Sequence, residues 1–126
     1  MKDEVQALGD TVKYLLLCCF NEKQWNAIPE PQRDAIMRDY GTLLQSLDRS
    51  GQHLATGKLQ PTATAATVRS GSGKAVVSDG PFAETKEQLG GYHLIECRDL
   101  DEAISIAKRF PTLPFGGAVE VRALET

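Results

Sequence analysis

Tyr14-Leu15-Leu16-Leu17-Cys18-Cys19-Phe20 is apolar without a break. A strand with one wet face alternates polar and apolar residues, because successive side chains point to opposite sides of the sheet. This segment does not alternate, so it reads as a strand covered on both faces. The run is also far shorter than the ~20 residues a bilayer-spanning helix needs. The remainder of the chain therefore has to wrap a sheet around this strand, and something has to cover its second side.

From Glu30 to Ser50, Ile36, Tyr40, Leu43, Leu44 and Leu47 recur at three- and four-residue steps. Pro29 and Pro31 stand at the start and Gly51 just past the end, which predicts an amphipathic helix. His53 to Leu59 reads as a short strand ended by Gln60-Pro61, and Thr62 to Arg69 as an extended segment. Ser70-Gly71-Ser72-Gly73 turns the chain into a second short strand, Lys74 to Ser78. Gly90 to Arg98 alternates, with Tyr92, Leu94 and Glu96 on one face and His93, Ile95 and Cys97 on the other. Asp99 with Glu102 opens a helix whose expected stripe is Leu100, Ala103, Ile104, Ala107 and Phe110, ended by Pro111. Ala118 to Leu124 is the last strand.

Strand, helix, strand, hairpin, strand, helix, strand is two strand-helix-strand units with a hairpin inserted between them. The predicted class is α+β: a ferredoxin-like antiparallel sheet with two helices on one face. Helices on one face leave the other bare, yet the first strand is apolar on both. A second copy packed sheet to sheet about a two-fold axis supplies the missing cover, so a homodimer, a dimeric α/β barrel, is expected.

A length of 126 residues fits one domain. A net charge of -3 gives no broad positive field for nucleic acid. Residues 1–11 are polar and lack the basic and apolar regions of a signal peptide, which leads to an expected cytoplasmic location. They are read as an extension preceding a domain of residues 12–126, with Val12 the native start. Cys18, Cys19 and Cys97 have no CxxC spacing, so reduced thiols are expected rather than a metal site or disulfides. Ser72-Gly73-Lys74 lacks the full spacing of a phosphate loop, and no cofactor is expected.

The densest polar run is Asp79-Gly80-Pro81-Phe82-Ala83-Glu84-Thr85-Lys86-Glu87-Gln88-Leu89-Gly90-Gly91. Asp79 serves either as a turn former or as a pocket carboxylate. Glu84 and Lys86 form either a solvated charged turn or a loop laid across the open sheet face, where burial would tune them for acid-base work. His93, on an apolar strand, is either a satisfied core or interface histidine or a proton-transfer group. His53 has less support. Arg69, Glu120 and Arg122 either clamp a carboxylate-bearing ligand or pair with one another. The catalytic candidates are thus Asp79, His93 and Glu84, and the ligand-binding ones are Arg69, Lys86, Tyr92 and Arg122.

The Asp79 to Gly91 run closely resembles the conserved block of the bacterial DGPF proteins, a branch of the YCII-related families. Agreement extends through Leu59-Gln60-Pro61, Ala65 to Arg69, Asp99 to Ala103 and Gly117 to Arg122. The resemblance implies the dimeric α/β barrel and a possible association with extracytoplasmic-function sigma factors. Some wider YCII-like proteins pair a histidine on the first helix with an aspartate after the second, and one branch dehalogenates a small lactone. Here those places hold Tyr40 and Phe110-Pro111, so that dyad is absent. Relatives often carry another aromatic at the place of His93, which weakens its catalytic case. Two functions are compatible, each with its pocket expected between the sheet and the partner subunit: a cofactor-independent enzyme performing acid-base chemistry on a small oxygenated or carboxylated metabolite, and a non-catalytic ligand-binding or regulatory module.

Overall fold

The computed structural model describes residues 10–125; residues 1–9 of the expected extension lie outside the described residues. The apolar run becomes β1 (Val12–Phe20), one of the two inner strands of a four-stranded antiparallel sheet. It pairs with β5 (Gln88–Cys97) on one side and β6 (Ala118–Ala123) on the other. The fourth strand, β2 (His53–Lys58), lies outside β5 and completes the order β2-β5-β1-β6. Because β1 and β2 flank β5, each strand-helix-strand unit straddles a strand of the other, which is the split connection of a ferredoxin-like α+β fold.

Between β1 and β2 run a short helix α1 (Glu22–Ala27) and the long α2 (Glu30–Ser50). The predicted bounds of α2 are the observed ones, since Pro29 opens it and Gly51 closes it at φ 77° in the left-handed region. Helix α1 was not anticipated. Six residues are too few to show a period, and its only local signal is Asn21, whose side chain caps the Gln24 amide. Helix α3 (Leu100–Ala107) starts at Asp99, whose carboxylate accepts from the Glu102 amide. Its buried face is Ala103, Ile106 and Ala107, continued by Phe110, whereas Leu100, at the first helical position, is exposed. The expected hairpin is β3 (Ala66–Gly71) and β4 (Lys74–Asp79), turned at Ser72 and Gly73, both at positive φ. It is a separate two-stranded sheet, and Thr62–Thr64 ahead of it is a 3-10 turn rather than extended chain.

Helices α2 and α3 contribute to a single core with one face of the sheet. Leu43 and Leu47 from α2, and Ala103, Ile106 and Phe110 from α3 and its end, meet Tyr14, Leu16, Ile95 and Cys97. Burying side chains of this size stabilises by roughly 1.5–3 kcal/mol each before entropy is counted. On the far face Leu15, Leu17, Tyr92 and Leu94 stay half-buried. The sheet of one chain is open and does not close into a barrel.

Candidate functional site

Strand alternation sends Leu16, Cys18, His93 and Thr56 to the helix side of the sheet. Against them α2 presents Met37, Tyr40, Gly41 and Leu44, and between the two lies a cavity of about 300 Å3. Its other walls are Phe20, Trp25 of α1, Lys58 of β2, Gly90 and Gly91 of β5, and Thr112, Phe115 and Gly117 ahead of β6. Tyr40 and Leu44 belong to the apolar stripe of α2 and pack against the core, but they are only half-buried because part of each faces this hollow. The paired glycines form part of the wall. Gly90 falls where β1 and β5 lose register, opposite the Cys18/Cys19 irregularity, and the ring of Phe20 occupies the space a Cβ would fill. A Cβ on Gly91 would press on the Gly57 carbonyl.

A chain of hydrogen bonds runs from the cavity to solvent. Tyr40 Oη lies 2.6 Å from His93 Nε2, and His93 Nδ1 lies 3.1 Å from His53 Nε2 and 2.9 Å from Thr56 Oγ1. His53 Nδ1 is 2.7 Å from Asp48 Oδ1. The His53 side chain is 5% exposed while that of Asp48 is 64% exposed, so the chain surfaces at Asp48. Two contacts agree on one direction for the protons. Asp48 as a carboxylate only accepts, so His53 donates from Nδ1, and in its neutral form it offers Nε2 as an acceptor. Thr56 donates its hydroxyl to the Tyr92 carbonyl at 3.3 Å and so accepts from His93. Both assignments place the His93 proton on Nδ1 and leave Nε2 to accept from the Tyr40 hydroxyl. Cys18 Sγ, at 3.6 Å, completes the surroundings of Tyr40 Oη.

His93 is 3% exposed, and burial, aided by the nearby His53, pushes it down to about 4. Burial pushes the Tyr40 phenol and the Cys18 thiol up. All three are uncharged at neutral pH. Because the folded value of His93 lies below the unfolded one of 6.5, the unfolded chain binds the proton first. Stability is therefore full above 6.5 and is lost as pH falls toward about 4. The expected loss over that window is on the order of 2 kcal/mol after discounting for screening near the cavity. Denaturant titrations of wild type and His93→Phe at both ends of the window check this: the substitution flattens the pH dependence. An unchanged slope would contradict it.

Of the candidates read from the sequence, His93 lines the cavity and the others lie outside it. Asp79, Glu84 and Lys86 are exposed at the end of β4 and in the loop after it. Arg69 stacks on the Phe82 ring at 4.5 Å and donates to the Phe82 carbonyl, out on the hairpin. Tyr92 and Arg122 occupy the opposite sheet face, where the Tyr92 ring covers Gly57 and Arg122 pairs with Glu120 at 3.6 Å. The signature run acts on the cavity through its backbone and Gln88. Asn21 Nδ2 donates to the Lys86 carbonyl at 2.8 Å, and the Gln88 side chain accepts from the Glu22 amide at 2.9 Å. The Glu22 carboxylate in turn accepts from the Thr62 amide at 3.0 Å. These bonds hold α1, and with it Trp25, whose ring meets Phe20 edge-on at 6.2 Å.

Sequence reasoning missed Tyr40 as a site residue, along with Thr56, Asp48 and Cys18, and gave His53 little weight. Tyr40 looked like ordinary core on a helical stripe. Asp48 and His53 are separated by the Gly51 helix stop, which brings them together only once the left-handed turn is made. Among the described residues no cluster of three or more His, Cys, Asp or Glu could hold a metal ion, and no helix is long and apolar enough to cross a membrane.

The model of the YCII-related domain matches residues 12–125. An uncharacterised protein of Rhizobium meliloti (strain 1021) is 39% identical over 112 residues, covering 88% of this chain and 90% of its own length. A match that spans both strand-helix-strand units and the inserted hairpin leaves one conclusion: the chain belongs to the YCII-related domain family.

Proposed function

We propose that the protein is an enzyme that moves a proton on a small metabolite, with Tyr40 as the group that exchanges it. The observation that carries this reading is the directed chain from Tyr40 through His93 and His53 to Asp48, with its phenol end on the cavity. A free phenolate at Tyr40 is disfavoured by burial, as is an imidazolium at His93. A coupled shift avoids both. The C–H proton of the ligand passes to Tyr40 Oη as the phenol proton passes to His93 Nε2 and the Nδ1 proton to His53 Nε2. The C–H electron pair stays on the ligand as an enolate, and the positive charge comes to rest on His53 against the Asp48 carboxylate. Reversal at a second carbon yields an isomer. Proton transfer by a positioned group is worth about 10²–10⁴-fold.

The test is deuterium uptake from D2O into a panel of small lactones, oxo acids and enones, followed by proton NMR. Catalysed uptake that vanishes in Tyr40→Phe supports the reading, and uptake unaffected by that change refutes it. A ligand-binding module without turnover is favoured by the apolar lining, and would show as quenching of the single Trp25 by ligands that never exchange.

In the same reading the half-buried Leu15, Leu17, Tyr92 and Leu94 are covered by a second copy of the chain. Light scattering at micromolar concentration is expected to give twice the chain mass of 13.7 kDa. A monomer would remove the dimer without touching the cavity, which lies on the other face.

A further inference from the structure

The cavity combines four properties that together restrict what it accepts. At about 300 Å3 it stands at the small end of ligand sites, which run from ~300 to ~1,000 Å3. Its walls carry flat rings and bare backbone: Phe20, whose ring lies on Gly90, with Trp25, Phe115 and Gly91. Its polar groups Tyr40 and His93 are uncharged at neutral pH. Its one charged lining residue is Lys58, on the same side of β2 as Thr56 by strand alternation, exposed at the rim and without an ion pair among the described residues. A ligand that filled this space without a negative charge would leave the ammonium unmatched. One carrying two charges would bring an uncompensated charge to an apolar hollow.

We infer that the ligand is a small monocarboxylate with a flat, ring-sized apolar body, its carboxylate paired with Lys58 at the mouth and its body against the rings of Trp25 and Phe20. The inference rests on the proposed function only in taking this cavity as the ligand site. It adds the order of the ligand: anion outward, apolar body inward, reacting carbon toward Tyr40.

Trp25 supplies the readout, being the only tryptophan in the chain and part of the wall. Fluorescence titration of the full chain with phenylacetate and with phenylacetamide compares two probes of nearly equal shape that differ in charge. Phenylacetate is expected to bind about tenfold more tightly, the scale of one charge-assisted contact at a partly wet rim. The preference is expected to fall with added salt, to disappear in Lys58→Met and to persist in Lys58→Arg. Equal binding of acid and amide, or a preference that survives Lys58→Met, would overturn the inference. Tyr40→Phe separates this result from the catalytic reading. Retained acid preference in that variant, whatever happens to deuterium uptake, upholds the carboxylate site, whereas loss of the preference there would place the charge recognition elsewhere and overturn it.

Discussion

Tyr40→Phe is expected to lower catalysed proton exchange by about 10²–10⁴-fold while leaving the fold intact. The substitution removes one oxygen and keeps the ring, so its edge-on contact with Phe110, at 5.5 Å between ring centres, is retained. What is lost is the hydrogen bond to His93 Nε2 and the hydroxyl that carries the exchangeable proton at the cavity. Leaving buried Nε2 without its donor costs about 1–3 kcal/mol. Circular dichroism and denaturant melts should therefore show a folded, modestly weakened protein, and NMR should show exchange near background. If His53→Gln gives a loss as deep, charge delivery to the surface limits the reaction. If it gives a loss of only a few fold, water in the cavity can take the proton from His93 instead.

Phe110→Ala is expected to be the most damaging single truncation in the core, at about 3–5 kcal/mol, or a fall in Tm of roughly 10–20 °C for a domain of this size. Phe110 is 2% exposed and lies 5.5 Å from both the Tyr40 and the His93 rings. It packs behind the two groups that have to stay 2.6 Å apart. A hole there removes the wall that keeps them aligned, so activity should fall along with stability. Phe82→Ala supplies the contrast. Phe82 is 71% exposed and its main partner is Arg69, so its loss should cost under ~1 kcal/mol. Similar losses in thermal melts of the two variants would mean that the core described around Phe110 is wrong.

The fold was largely legible because its signals are local and repetitive. The stripe from Ile36 to Leu47 with Pro29 and Gly51 at its ends marks a helix with definite limits, and the alternation from Tyr92 to Cys97 marks a strand with two distinct faces. The site was less legible, because it is assembled from contacts distant in the chain. Tyr40 and His93 are 53 positions apart and meet only when α2 lies across β5. The polar run from Asp79 to Glu87 drew attention by its density, yet its charged side chains point to solvent, and it shapes the cavity by holding α1 through the Lys86 carbonyl and Gln88. His93 was the exception. A histidine on the buried face of a strand has to be satisfied, and here its partners form the relay itself.

The protonation state of His93 tests the relay most directly. Long-range nitrogen-proton NMR correlations on uniformly labelled protein distinguish the two neutral tautomers and the imidazolium. At neutral pH His93 should be neutral with its proton on Nδ1 and Nε2 unprotonated, charging only as pH approaches about 4. A His93 protonated on Nε2, or charged at neutral pH, could not accept the Tyr40 hydroxyl and would contradict the account.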